Sequence, residues 1–323
     1  GFVPVSGDAT GDGFVLIPGG TFLSGDVVTR KGRQESVQVD AFEMLDHPVT
    51  NREYKAFVDA AGYTPPAHWT GGRIPAGMED HPVVFVNRYD VDAYLAWRGR
   101  AEKRLYRLPT DAEFEYAARG GLEGKLYPWG DDDPAGRANF DADGTRTAAD
   151  WRRFLKPVRS YAPNAYGLYD MAGNVWQMVR TFPDPARQRY KYRIENPTDL
   201  EGRVVGGSWA RSAVYLRCGY GGGLGAGMRL PDLGFRLVRE VAGSASFLPR
   251  PRRLVALPQG EGRVFLSWQL LPDDPPGVAF HVYASRRRDA AGERVTSAPL
   301  AGGTNYVDTR PAVGLVYYRV RPV

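Results

Sequence analysis

Residues 241–251 divide this chain into two stretches of different texture, and that break constrains the fold more than any other feature. The run Val241-Ala242-Gly243-Ser244-Ala245-Ser246-Phe247-Leu248-Pro249-Arg250-Pro251 is a linker of Gly, Ser and Pro; such runs punctuate secondary structure instead of continuing it. Beyond it the residues alternate. Val264-Phe265-Leu266-Ser267-Trp268, Ala279-Phe280-His281-Val282-Tyr283-Ala284, Asn305-Tyr306-Val307-Asp308 and Leu315-Val316-Tyr317-Tyr318-Arg319-Val320 read as short strands separated by turns such as Pro272-Asp273-Asp274-Pro275-Pro276-Gly277. Strands at this spacing predict an all-β sandwich over 252–323. The length of 323 residues, at roughly 150 per domain, agrees with two unequal bodies.

The first body, 14–240, is rich in Gly and Trp and carries few helices. Thr50 followed by Glu53, and Thr110 followed by Glu113, are capping boxes: each Thr side chain satisfies a free N–H at the helix start while the acidic residue reaches back. Tyr54, Phe57 and Val58 then share one face, as do Phe114, Ala117 and Ala118. A further helix is expected over 90–100. Residues 1–13, rich in Gly, Ser and Asp, are read as a flexible leader left after removal of an export signal.

Ordered phrases in the first body carry a resemblance. They are Phe14-Val15-Leu16-Ile17-Pro18-Gly19-Gly20-Thr21-Phe22, Val49-Thr50-Asn51-Arg52-Glu53-Tyr54, His81-Pro82-Val83-Val84-Phe85-Val86, Arg107-Leu108-Pro109-Thr110-Asp111-Ala112-Glu113-Phe114, Tyr127-Pro128-Trp129-Gly130, Asn164-Ala165-Tyr166-Gly167-Leu168-Tyr169-Asp170-Met171-Ala172-Gly173-Asn174-Val175-Trp176, Gly206-Gly207-Ser208-Trp209 and Gly234-Phe235-Arg236-Leu237-Val238. Over about 225 residues this set resembles the formylglycine-generating-enzyme, or sulfatase-modifying-factor, family. The resemblance implies an α+β, irregular C-type-lectin-like fold. The C-terminal segment resembles a fibronectin type III module of the Ig-like sandwich class, on Leu266-Ser267-Trp268, His281-Val282-Tyr283, Thr304-Asn305-Tyr306-Val307-Asp308-Thr309 and Tyr317-Tyr318-Arg319-Val320.

Fold does not settle function. Active members of the resembled family oxidise a substrate cysteine through two cysteines that bind copper just after the Gly-Gly-Ser-Phe/Trp phrase; thiolates suit Cu(I) because both are soft. Here that stretch is Trp209-Ala210-Arg211-Ser212-Ala213-Val214-Tyr215-Leu216-Arg217, without cysteine, and the chain has a single cysteine, Cys218. One thiol cannot replace the pair, so Cys218 is expected to be a small core residue, and neither copper nor catalytic residues are expected. A second branch of the fold holds iron with histidines from an added helical domain. The four histidines, His47, His68, His81 and His281, lack helical i, i+4 spacing, so iron is not expected. No nucleophile elbow or phosphate-cradling motif occurs.

The resemblance also implies structural calcium. One site would use Asn139 and Asp150 through side chains, with Phe140 and Arg152 through carbonyls. A second would use Asn174 and Val175, with Gln177 where the family has an acidic residue; that loss of charge weakens the second site, since calcium is held by oxygens, carboxylates above all.

With catalysis removed, residues 210–232 are read as a binding surface: Trp209, Arg211, Val214, Tyr215, Tyr220, Leu224, Met228 and Leu230 place apolar and aromatic groups in a Gly-rich loop, as protein contacts do. The expected role is a scaffold protein outside the cytoplasm, peripheral to a membrane-bound assembly and without a transmembrane segment. Its expected partners are other protein subunits. One alternative is a ligand-binding protein diversified by a retroelement at 210–232; the other is the family's oxidase. Net charge is +5, and residues 250–323 hold 11 Arg against 6 acidic residues, so the excess lies wholly in the C-terminal part. It points to an acidic partner or anionic lipid headgroups. No basic run interleaved with aromatics suggests nucleic acid.

Overall fold

The structure, a computed structural model, describes residues 12–26, 28, 34–180, 201–241, 255–258, 263–268, 278–286, 292–301, 305–310 and 316–323. The linker beyond residue 241 and the leader up to residue 11 lie outside them. Asp12 and Gly13, read from the sequence as leader, are tied to the first body: Asp12 bonds the Arg239 guanidinium, and the Gly13 carbonyl accepts from the Asp46 N–H at 2.9 Å. The residues up to 241 and those from 255 onward form two compact units.

The first unit begins with β1 (Phe14–Ile17), the hairpin β2 (Gly20–Ser24) and β3 (Glu35–Val39), and β4 (Phe42–Leu45). Helices α1 (Asn51–Ala61) and α2 (Arg88–Glu102) follow, then β5 (Tyr106–Arg107), α3 (Asp111–Arg119) and the single turn α4 (Trp151–Phe154). Strands β6 (Trp176–Val179), β7 (Glu201–Val205), β8 (Gly221–Gly225), β9 (Leu233–Phe235) and β10 (Val238–Glu240) close the unit. One sheet runs β1-β4-β10-β5 and another β8-β7-β6-β9, in which β6 and β9 pair in parallel.

Both expected capping boxes are formed, Thr50 with Glu53 and Thr110 with Glu113, and each helix stops at a left-handed glycine, Gly62 and Gly120. These glycines supply the positive φ that a side chain would oppose. The helix expected over 90–100 starts two residues earlier, because its cap is Asn87 and Asp90 is the third position of a further box. Tyr54, Phe57 and Val58 are buried in one core cluster with Tyr94, Trp69, Trp176 and Phe235. Burying each such side chain stabilises by about 1.5–3 kcal/mol. A second cluster gathers Phe114, Tyr116, Ala117, Leu168, Val205 and Cys218.

The second unit is all β. Strands β11 (Val255–Pro258), β12 (Val264–Ser267), β13 (Ala279–Ser285), β14 (Glu293–Arg294), β15 (Leu300–Ala301), β16 (Asn305–Asp308) and β17 (Tyr317–Pro322) form two sheets, β11-β12-β16 and one centred on β13. Leu266 and Trp268 meet Phe280 and Val282 in one core, with the Trp268 and Phe280 rings 5.5 Å apart. No helix among the described residues is long and apolar enough to cross a membrane.

Candidate functional site

The loop after β7 is where the sequence places the chemistry or its absence. Gly206 and Gly207 both take positive φ, and a Cβ on Gly207 would lie 2.8 Å from the Tyr215 carbonyl oxygen. The chain therefore folds back tightly and delivers Ser208 into the interior, where its hydroxyl donates to Asp232 at 2.7 Å. Residues Ala213–Leu216 form a short 3₁₀ turn. The only thiol lies elsewhere. Cys218 is buried in the second core cluster, its N–H donates to the Leu126 carbonyl at 2.8 Å, and burial pushes its thiol up to about 12. A thiol held there stays protonated and is a poor nucleophile or metal ligand.

The residues expected at a binding surface differ in exposure. Val214 is 52% exposed and Met228 47%, and Arg211 is exposed. Tyr215 and Tyr220 meet edge to face at 5.0 Å, and both rings flank Trp176 at 6.0 and 6.5 Å. Tyr215, Tyr220, Leu224 and Leu230 are half-buried against the first core cluster. Leu224 and Met228 also line a small hollow with Met178, Val204 and Ala226. Trp209 departs from the expectation. It is fully buried with Met78, Val84, Leu155 and Val175, its ring stacks on Phe154 at 6.0 Å, and its indole N–H donates to the Pro231 carbonyl. An aromatic in a Gly-rich loop reads as surface; packing from α4 takes it inside. Trp176, the hub of the tyrosine pair, enters the sequence reading only as part of the phrase 164–176 and not as a surface residue.

The two expected calcium loops are closed by hydrogen bonds. Asn139 is buried; its Oδ1 accepts from Arg146 Nη1 at 2.9 Å, and its Nδ2 donates to the Phe154 carbonyl at 2.7 Å and to Asn174 Oδ1 at 3.1 Å. Asp150 Oδ2 accepts from the Thr147 N–H and hydroxyl, which hold its carboxyl below the usual range. Phe140 is half-buried against Ala138, Ala172 and Leu216, and the exposed Arg152 lays its guanidinium over the Trp151 ring. In the second loop Asn174 Oδ1 also accepts from the Lys156 N–H, Gln177 Oε1 accepts from Arg236, and Val175 is buried. Among the described residues, no group of three or more His, Cys, Asp or Glu side chains converges as a metal ligand set.

The histidines are dispersed. His47 is buried between Asp46 and Glu53. His68 packs against Phe85 and Trp151 with both ring nitrogens unpartnered, and burial lowers it to about 4. His281 lies in the second unit, its Nδ1 2.9 Å from the Thr296 hydroxyl.

Comparison with known proteins places these observations. Residues 3–241 match the family described as the sulfatase-modifying factor enzyme 1-like domain, and residues 250–323 match the rhamnogalacturonan I lyases beta-sheet domain. The chain is 33% identical over 238 residues to the formylglycine-generating enzyme of Streptomyces coelicolor, covering 58% of this chain and 72% of that protein. It is 35% identical over 231 residues to the inactive C-alpha-formylglycine-generating enzyme 2 of Mus musculus, covering 56% and 73%. Among solved structures, PvdO from Pseudomonas aeruginosa superposes with a TM-score of 0.56 at 27% identity, covering 71% of this chain and 94% of that one.

Proposed function

The chain belongs to the sulfatase-modifying factor enzyme 1-like family, and we propose that within it this protein is a non-catalytic binding and scaffold protein. One observation carries the reading. Where the family's oxidase needs two thiols, residues 210–217 present Val214, Tyr215 and Arg211 instead, and the chain's one cysteine is sealed in the core. Apolar and aromatic groups displayed beside an exposed arginine favour protein contact, since aromatics and Arg are enriched in the buried centres of interfaces. A relative named as inactive supports a non-catalytic role as compatible with this fold.

The finer reading is an extracytoplasmic subunit, extrinsic to a membrane-bound assembly. The all-β unit serves in it as a fibronectin type III-like module that carries the arginine excess toward an acidic partner or anionic headgroups. Two experiments test the proposal. Incubation with a cysteine-containing substrate peptide and copper, followed by mass spectrometry, is expected to yield no formylglycine; any product overturns the non-catalytic reading. Affinity purification from native membranes is expected to recover fixed partner subunits with the wild type and to lose them with the double variant Val214→Asp, Met228→Asp. Equal recovery with that variant moves the interface elsewhere.

A further inference from the structure

We infer that Arg146 stands in this chain in place of the structural cation the resemblance implies, so that the loops beneath the candidate surface are clamped by an internal guanidinium and need no calcium. The donor set carries this. Calcium collects six to eight oxygens, and two buried oxygens that could serve it, Asn139 Oδ1 and the Trp209 carbonyl, both accept from the same Arg146 Nη1, at 2.9 and 3.1 Å. The guanidinium lies 4.4 Å above the Phe154 ring, a contact that adds to the cation's hold. Phe154 in turn stacks on Trp209, and its carbonyl accepts from Asn139 Nδ2. One positive group thus gathers an amide oxygen, a carbonyl and an aromatic face from three separated segments, which is the organising task of a bound ion.

The surroundings oppose a second cation. Arg146 and Arg153 line one open cleft of about 310 Å³ together with Asp143 and Asp150. A divalent ion entering it meets two guanidinium groups that offset the two carboxylates, and Asp150 Oδ2 already accepts from the Thr147 N–H and hydroxyl. The second loop is filled in the same way, its Gln177 oxygen accepting from Arg236 and its Asn174 oxygen from Asn139 and the Lys156 N–H.

The clamp also reaches the candidate surface. Trp209, whose carbonyl Arg146 holds, directly precedes residues 210–217, and the Asp141 N–H donates to the Arg211 carbonyl at 2.9 Å. The shape of the loop follows Arg146, whether or not that loop binds a partner.

The test uses the full chain. Thermal unfolding of the wild type is expected to be superimposable in excess calcium and in excess chelator, and terbium added alone is expected to give no emission sensitised by the nearby tryptophans. Arg146→Met keeps a side chain of similar length and removes both hydrogen bonds and the cation over the Phe154 ring; its melting temperature is expected to fall by roughly 5–10 °C, two bonds from a charged donor at the scale of a domain this size. Arg146→Lys, which keeps the charge, is expected to recover part of that loss. A wild-type melting temperature that rises with calcium, terbium emission that calcium displaces, or an Arg146→Met melting curve equal to the wild type each overturns the inference. If the Met variant does not fold, the wild-type calcium and terbium readings decide it.

Discussion

Gln177 Oε1 accepts the Nε–H of Arg236 at 2.5 Å, with both residues at 0% exposure. Three further guanidinium N–H groups donate to the carbonyls of Leu45, Tyr169 and Asp170. The core therefore holds a positive charge whose direct partners are an amide and carbonyl oxygens, and burial lowers Arg236 to about 10. Removing one acceptor leaves a charged donor unpaired in the interior, which costs more than a neutral bond. Gln177→Leu is expected to lower stability by about 2–4 kcal/mol in urea denaturation. Both variants lose the bond from Gln177 Nε2 to the Asp170 carbonyl at 2.7 Å, but Gln177→Glu restores an acceptor for Arg236 and is expected to cost clearly less; equal losses would refute the view that the Arg236 contact carries the larger share.

His47 makes the first unit respond to pH. Burial alone would lower its pKa, but hydrogen bonds to Asp46 and Glu53 outweigh burial and hold it raised. Arg159 also faces it, 3.3 Å from Nδ1. The folded state thus binds the proton more tightly than the unfolded one. The resulting stability is fully present below the unfolded value of about 6.5 and is lost as pH rises through the raised native value. Asp46 and Glu53 act in the opposite sense, their depressed carboxyls contributing above the ordinary carboxylate range and ceasing to do so on acidification. The melting temperature of the wild type is expected to decline above about pH 6.5, and His47→Gln to flatten that decline; parallel profiles for the two proteins would refute the assignment.

Cys218 is expected to be silent toward thiol reagents in the native protein. With its thiol pushed up to about 12, only on the order of one molecule in ten thousand carries a thiolate at pH 8, against roughly a quarter for an unperturbed cysteine. Titration with a chromogenic disulfide should therefore show one reactive thiol in denaturant and none before it. Rapid native labelling would contradict the buried placement.

Trp209 and Val214 lie five positions apart and should answer mutation in different ways. Trp209→Ala empties a packed core site and is expected to cost about 3–5 kcal/mol. Val214→Asp alters an exposed side chain and is expected to change stability by no more than about 0.5 kcal/mol. Chemical denaturation of both variants checks the pair; a large loss for Val214→Asp would mean that this turn belongs to the core.

Local chemistry was what the sequence could show. Thr50 with Glu53, and Thr110 with Glu113, announce helices because a cap is written within four residues. The start of α2 is less legible, because Asp90 reads as a first residue although it is the third helical position after the Asn87 cap. Strand β16 was legible from Asn305-Tyr306-Val307-Asp308 alone. The parallel pairing of β6 with β9 joins Trp176 to Leu233, a separation no local pattern reports. The absence of a thiol pair was equally plain. The inward turn of Trp209 was hidden, since it depends on Phe154 and Leu155, and the occupation of Asn139 by Arg146 depends on a side chain that the residue types in the calcium phrase do not include.

The sheet β1-β4-β10-β5 has a kinetic consequence. Its strand β10 lies at the end of the first unit, yet it sits between β4 and β5, and Arg239 on it joins Glu43 and Asp12 from the unit's other end. Nothing made earlier on the ribosome can complete that sheet. The unit must wait until residue 240 has emerged, with apolar strands uncovered meanwhile, and contacts of such long sequence separation are slow to form. Truncation even a few residues short of Val238 would leave a nascent chain with no way to close and would deliver it to chaperones or proteases.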